Sequence, residues 1–158
     1  MNNEILLETC NEMLGDIATE LARAYVDNRS VLNIYFGQGS PERQLELFHP
    51  LAWETSIFFL HLLASHKNQD LATLFRSHLE ETPTGHKSFN PTIIQRRLDT
   101  YAHSENALES FANFCDAVTK HEMNRRINQT GQHSINDHRY VTIQNAAVRI
   151  LDFIKTLD

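Results

Sequence analysis

The chain has few of the features that mark secreted or disulfide-stabilised proteins. It contains only two cysteines, Cys10 and Cys115, and their separation matches no disulfide framework. Each falls on the apolar face of a predicted helix, so we interpret them as reduced core thiols, with a disulfide between them as the less favoured alternative. A cytoplasmic location is the corresponding expectation.

Long apolar runs and an excess of positive charge are also missing. The first ten residues, MNNEILLETC, have no basic residue ahead of an apolar core, so no signal peptide is expected. The longest mostly apolar stretch, residues 51–64, contains Glu54 and His61 and is expected to be too short to span a membrane. The formal net charge of −6 argues against a protein whose main task is to coat nucleic acid.

Sequence patterns of the common catalytic and metal sites are absent. There is no glycine-rich phosphate loop, no G-x-S-x-G nucleophile turn and no Cys–His nucleophile pattern, and the nine histidines show no metal-binding spacing. Glu46 and His49 have the E-x-x-H spacing of di-iron bundles, but such a site needs a second pair. We therefore expect no metal and no cofactor.

What the chain does have is helical periodicity over most of its length. Apolar residues recur three or four positions apart, which predicts one all-α domain over residues 1–158, a bundle of five or six helices. Helices are expected at about 3–28, 50–67, 71–79, 91–102, 105–129 and 139–157, with an irregular connection over 29–49. The helix beginning at Pro50 is apolar on nearly every side and is expected in the middle of the bundle. Asn90 is expected to cap one helix, and Ser104 or a neighbour the next.

The end of the fifth predicted helix changes character on its core-facing side. A rotation of 100° per residue places Phe111, Cys115 and Val118 on one apolar stripe. The same rotation continues this direction with a polar set: Glu122, Arg125, Arg126 and Gln129. Charges directed at a core must be paired, bound to a ligand or placed where the bundle opens. An ion pair between Glu122 and Arg126, one turn apart, is one interpretation; a functional site is the other.

The residues that follow favour a functional site. Arg126 and His133 are separated by six residues in R-INQTGQ-H, and Gly131 stands between them. Together with the apolar last helix, NAAVRILDFIKTL, this spacing resembles the signature of the HEPN family of small all-α domains, over about the last 35 residues. Family members usually have Asn or Asp directly after the arginine, where this chain has Ile127.

The resemblance implies a metal-independent endoribonuclease, usually a homodimer whose two motifs face each other across a cleft. Arg126 would hold the scissile phosphate, for which a planar guanidinium is suited. His133 would move protons at the 2′-hydroxyl or the leaving oxygen, as an imidazole that titrates near neutrality can. The other residues expected to line or support the cleft are Glu122, Arg125, Gln129 and His138.

Such domains act in antiphage defence or as toxins restrained by an antitoxin. The resemblance therefore implies RNA as substrate, a second copy of the chain, an antitoxin or other protein as partner, and no membrane. A HEPN-like fold without catalysis is the alternative that the same resemblance leaves open.

Two further classes of function are also open. The run from residue 59 to residue 114, with Arg96 and Arg97 together near the start of a helix, resembles the small α-helical subunit of CRISPR surveillance complexes. That resemblance implies binding to a nucleic-acid backbone without catalysis. A compact acidic all-α domain also suits a protein-binding module, such as an immunity or inhibitor protein.

Overall fold

The computed structural model describes residues 2–26, 41–66, 68–81, 90–119 and 138–157. Over these ranges the chain forms six α-helices and no strand. In chain order, α1 spans Asn3–Val26, α2 Pro41–Ser65, α3 Gln69–Glu81, α4 Pro91–His103, α5 Ala107–Thr119 and α6 His138–Lys155. The prediction of an all-α helical bundle of five or six helices is confirmed.

The central helix is α2, as its apolar composition predicted. It packs against all five other described helices, while α1 also packs on α6, and α5 packs on both α4 and α6. Its fully buried side chains point into several interfaces and include Leu51, Ile57, Phe58, Phe59 and Leu63. Because α2 is surrounded in this way, none of residues 51–63 is fully exposed, which explains why this part of the sequence lacks a polar stripe.

The prediction that this helix begins at Pro50 is wrong, because α2 begins at Pro41 and Pro50 lies inside it. The irregular connection expected over 29–49 is therefore helical from residue 41 onwards, while residues 27–40 lie outside the described part of the chain. An internal proline removes one backbone hydrogen bond and costs a helix about 3 kcal/mol. Leu47 is buried one turn before Leu51, so the apolar face continues across the proline and its burial offsets that cost.

The extended α2 also changes the expectation about membrane-spanning length. By length and composition alone, the described stretch Gln44–Ser65 is long and apolar enough to cross a membrane, with a mean hydropathy of 1.2. However, 61% of the 18-residue apolar window within it is buried inside the protein, as in the core helix of a soluble protein. The stretch is longer than the apolar run 51–64 because α2 adds residues 44–50 ahead of it.

Besides Asn2, whose Oδ1 accepts from the Glu4 N–H of α1 at 2.8 Å, asparagine side chains begin two further helices. The Thr92 backbone N–H donates to Asn90 Oδ1 at 2.8 Å, and Pro91 follows in the first turn, which confirms the predicted cap of α4. For α5 the cap is the neighbour of Ser104 that the sequence left open, since the Glu109 N–H donates to Asn106 Oδ1 at 3.2 Å. Both caps satisfy backbone donors that a helix start leaves without partners.

Both cysteines are buried free thiols, consistent with their interpretation as core residues. Burial raises the pKa of Cys10 to about 11. Burial also raises the pKa of Cys115 well above its usual range, and the nearby Glu54 and Asp116 carboxyl groups raise it further. At neutral pH both side chains are therefore protonated and behave as small apolar groups.

Candidate functional site

Most of the residues selected from the sequence belong to residues 120–137, outside the described part of the chain. These are Glu122, Arg125, Arg126, Gln129 and His133. His138 is the first residue of α6, and its side chain is likewise outside the described part. The catalytic pair Arg126 and His133 therefore stays a prediction. The structure describes the two helices on either side of residues 120–137, which are α5 before them and α6 after them.

The helices that flank residues 120–137 in the chain pack together and share a contact with α1. Thr119 is the last residue of α5, His138 the first of α6, and these two helices pack against each other. The Tyr25 hydroxyl donates a hydrogen bond of 2.5 Å to Asp116 Oδ1, near the end of α5. The guanidinium carbon of Arg139, at the start of α6, lies 5.7 Å from the centroid of the Tyr25 ring. One tyrosine of α1 thus contacts both helices close to where residues 120–137 begin and end.

This end cluster, Tyr25, Asp116 and Arg139, is deeply buried. Asp116 and Arg139 each expose only 2% of their surface. Burial raises the pKa of Tyr25 well above its usual range, and Cys115 and Asp116 raise it further, while Arg139 opposes the shift. The phenol consequently stays neutral and donates to the carboxylate. The hydrogen bond from Tyr25 to Asp116 and the Arg139 guanidinium near the Tyr25 ring together fix the relative positions of α1, α5 and α6.

The sequence analysis did not select the end cluster. Asp116 lies about 140° from Phe111 by helical rotation, off the apolar stripe, and so reads as a solvent-facing residue. Tyr25 falls among the apolar residues of α1 by its spacing, and Arg139 stands only at the start of the predicted last helix. Asp116 and Arg139 carry opposite charges and lie on the two sides of the predicted motif. This was the sequence signal that could have indicated the end cluster.

Replacing Tyr25 with phenylalanine is expected to lower the free energy of unfolding by about 1.5–3 kcal/mol, the usual contribution of a hydrogen bond to a charged group. Chemical denaturation of the two proteins measures the difference. Tyr101→Phe is a matched control, because within the described residues the buried Tyr101 hydroxyl has no hydrogen-bond partner. Its removal is expected to be neutral or stabilising. A larger loss for Tyr101→Phe than for Tyr25→Phe would contradict this account of the end cluster.

A second buried polar group joins α2 to α4 and α5. Glu54 is 0% exposed, and its Oε1 lies 3.1 Å from Nη2 of Arg97, whose side chain is 28% exposed. The Arg97 guanidinium carbon lies 4.0 Å from the centroid of the Phe114 ring. The contact pairs the opposite charges of Glu54 and Arg97, but the Arg97 N–H does not meet the Glu54 oxygen in hydrogen-bond geometry. Within the described residues neither carboxylate oxygen of Glu54 accepts a hydrogen bond.

This incomplete pairing changes how Glu54 titrates. Burial raises the pKa of Glu54 from 4.5 to about 7, although Arg97 favours the charged form and opposes the shift. The desolvation of a buried carboxylate therefore outweighs one charge contact. Glu54 changes its charge close to neutral pH, which a surface glutamate does not do.

The same pair bears on the two adjacent arginines near the start of α4. Arg96 is exposed, whereas Arg97 is engaged by Glu54 and by the Phe114 ring. The two guanidinium groups therefore differ in their surroundings. The resemblance to a surveillance-complex subunit stays a prediction.

No candidate metal centre is found in the described ranges, where no three His, Cys, Asp or Glu side chains are arranged to hold an ion. In comparisons with known proteins, no family model, no curated protein and no solved structure matches this chain. The class that the fold defines is thus an all-α helical bundle that buries, among its described residues, the end cluster and Glu54.

Proposed function

We propose that this protein is a HEPN-like, metal-independent endoribonuclease that acts in antiphage defence or as the toxin of a toxin–antitoxin pair. The observation that supports the proposal is that the end cluster joins the two helices that precede and follow residues 120–137. Arg126 follows Asp116 by ten residues, and His133 precedes Arg139 by six. An extended chain covers about 3.3–3.6 Å per residue, so the chain is long enough to bring both side chains to one phosphodiester near that end of the bundle.

The proposed chemistry needs only these two residue types and the RNA itself. The 2′-hydroxyl attacks the adjacent phosphorus, a new P–O2′ bond forms, and the P–O5′ bond breaks. One proton leaves the 2′-oxygen and one is taken up by the departing 5′-oxygen, for which His133 is the carrier. Arg126 holds the negatively charged phosphate through this change. The products are a 2′,3′-cyclic phosphate and a 5′-hydroxyl.

A homodimer suits this mechanism. Two copies of the motif facing each other supply one imidazole for each proton transfer, and they place the arginines of both chains around one phosphate. Such a local concentration of positive charge is compatible with an overall formal charge of −6. The remaining roles follow from the same site: Glu122, Arg125, Gln129 and His138 line or support the cleft. The proposed location is the cytoplasm, with an antitoxin or another protein as the restraining partner.

His133→Ala is expected to abolish RNA cleavage, and growth arrest on expression, while the free energy of unfolding stays within about 1 kcal/mol of the parent. The assay follows a labelled RNA in buffer with EDTA, because the mechanism uses no metal, and identifies the cyclic phosphate end. His103→Ala, an exposed histidine at the end of α4, is the control and is expected to retain activity. If the parent cleaves no RNA, or if His133→Ala cleaves as the parent does, this function is wrong.

A protein-binding module is the second candidate, favoured by a row of acids on α1. Five exposed carboxylates follow one another at four-residue intervals, at Glu4, Glu8, Glu12, Asp16 and Glu20. Arg149 of α6 neutralises the last two, with contacts of 3.5 Å to Asp16 and 3.4 Å to Glu20. The first three form no ion pair with any described residue, which leaves a surface suited to a basic partner. A stoichiometric complex that is lost on charge reversal at Glu8, together with absent RNA cleavage, would select this candidate.

A further inference from the structure

A cleft of about 300 Å³ lies between α3 and α4, over the second half of α2. Its lining is mostly apolar, and several of its residues are alanines whose small side chains leave the space open: Ala64, Ala72 and Ala102. Arg76 of α3 reaches across to α4, where its Nη1 donates to Gln95 Oε1 at 2.8 Å. The volume is at the lower end of the range for ligand sites, which limits an occupant to the size of a base or nucleoside.

A series of aromatic rings leads from the core to this cleft. Phe111 and Phe58 stack with ring centroids 4.3 Å apart and planes 11° apart. Phe58 is followed by Tyr101 at 5.6 Å, and Tyr101 by His61 at 5.2 Å, where the planes are 19° apart. His61 is the last ring of this series and also lines the cleft. The His61 side chain is half-buried, so part of it faces the cleft side.

The imidazole of His61 is suited to stacking and not to carrying charge. Burial lowers the pKa of His61 below its usual value, so the ring is neutral at neutral pH. A neutral flat ring at the end of a stacked series offers a surface for one more aromatic ring, in the offset geometry that such pairs prefer.

The polar side chains of the cleft include one carboxylate, Asp99, beside Gln69, Thr73, Arg76 and Gln95. Asp99 Oδ1 accepts a hydrogen bond from Gln95 Nε2 at 2.8 Å, and Asp99 lines the cleft. A carboxylate has two oxygens and about four acceptor positions, so one such bond leaves acceptor capacity. A carboxylate selects a ligand that donates hydrogen bonds and rejects one that places a carbonyl oxygen at the same position.

We propose that this cleft binds an amino-substituted purine of the adenine type, stacked on His61 with its exocyclic amine donating to Asp99. Arg76 and Gln95 close the end of the site where α3 and α4 are joined. The described residues that line the cleft are distinct from Arg126 and His133, so its occupancy can be tested separately from the proposed RNA cleavage. The nucleoside site would serve the protein whether or not it is a nuclease.

Adenosine and inosine are the probes that test this site, because they differ at the 6-position, an amine in one and a carbonyl in the other. Titration of the full chain followed by NMR or calorimetry is expected to show saturable adenosine binding, with inosine weaker by about tenfold or more. Asp99→Asn presents an amide that both donates and accepts, so it is expected to reduce or reverse this preference. Asp99 is exposed, and the variant is expected to fold as the parent does.

His61→Ala removes the stacking surface and is expected to weaken adenosine binding by about tenfold. His49→Ala, an exposed histidine of the same helix that does not line the cleft, is the control and should bind as the parent does. The proposal is overturned if adenosine does not saturate the parent protein. It is equally overturned if adenosine and inosine bind alike, or if Asp99→Asn keeps the parent's preference.

Discussion

Glu54→Gln is expected to remove a dependence of stability on pH that the parent protein shows between about pH 4.5 and pH 7. The pKa of Glu54 is about 7 in the folded protein and 4.5 as the reference value. A carboxyl group whose pKa is raised on folding favours the folded state when protonated. Its contribution is therefore fully present below pH 4.5 and is lost as the pH rises through 7.

The expected size of this effect is on the order of 3 kcal/mol, since each pKa unit corresponds to 1.36 kcal/mol. Glutamine has the shape of the protonated acid and does not titrate. The variant and the parent should thus unfold with similar free energies below pH 4.5. Above pH 7 the variant should be the more stable, because the parent then buries a charge whose ion pair, among the described residues, is with the partly exposed Arg97.

Urea denaturation at several pH values measures this difference directly, because the other carboxylates titrate equally in both proteins. Glu80→Gln is the matched control. Glu80 pairs with Arg76 on the surface of α3 at 3.1 Å, with side chains about one-third exposed, and such pairs contribute about 0–1 kcal/mol. Its difference from the parent should stay below about 1 kcal/mol across the range. Parallel curves for the parent and Glu54→Gln would show that Glu54 is not desolvated as described.

Phe58→Ala is expected to cause the largest loss of stability of the substitutions considered, about 3–5 kcal/mol. Phe58 is 2% exposed and is the inner ring of the stacked series, between Phe111 and Tyr101. Truncation removes the buried ring surface and both aromatic contacts, and it leaves a cavity where α2, α4 and α5 meet. In a chain of this length, the loss corresponds to a fall in melting temperature of roughly 6–20 °C.

Phe58→Leu separates the loss of packing volume from the loss of the ring itself. A hydrophobic exchange that nearly conserves volume is expected to cost less than about 1.5 kcal/mol. Thermal and chemical denaturation of both variants provide the comparison. A loss below about 1 kcal/mol for Phe58→Ala would mean that this part of the core collapses around the missing ring, contrary to the stacking observed.

The helices could be predicted from the sequence because amphipathic periodicity and caps are local properties. The apolar run of α2 predicted its central position, and Asn90 followed by Pro91 predicted the start of α4. The exception was Pro50, which normally marks the first turn of a helix. Its local preference was overridden by the burial of Leu47 and Leu51 on either side of it, which is a tertiary contribution.

For the candidate site, the sequence could predict only the residue types and their spacing. The spacing of Arg126 and His133 carries the proposed chemistry, and it remains a prediction because these residues lie outside the described part of the chain. The surroundings of that pattern were not predicted. Tyr25 and Asp116 are 91 positions apart in the chain, and no local rule relates them.

The sequence by itself therefore determined which segments are helical, which of their faces are apolar and which helix is central, since each of these depends on residues within a few turns. Only the tertiary structure decided which polar residues are buried together. Glu54 meets Arg97, Asp116 meets Tyr25, and His61 ends a ring series at a cleft because separate helices bring them into contact. The energy of a buried charge depends on its partners and on the exclusion of water, and both are properties of the packed bundle.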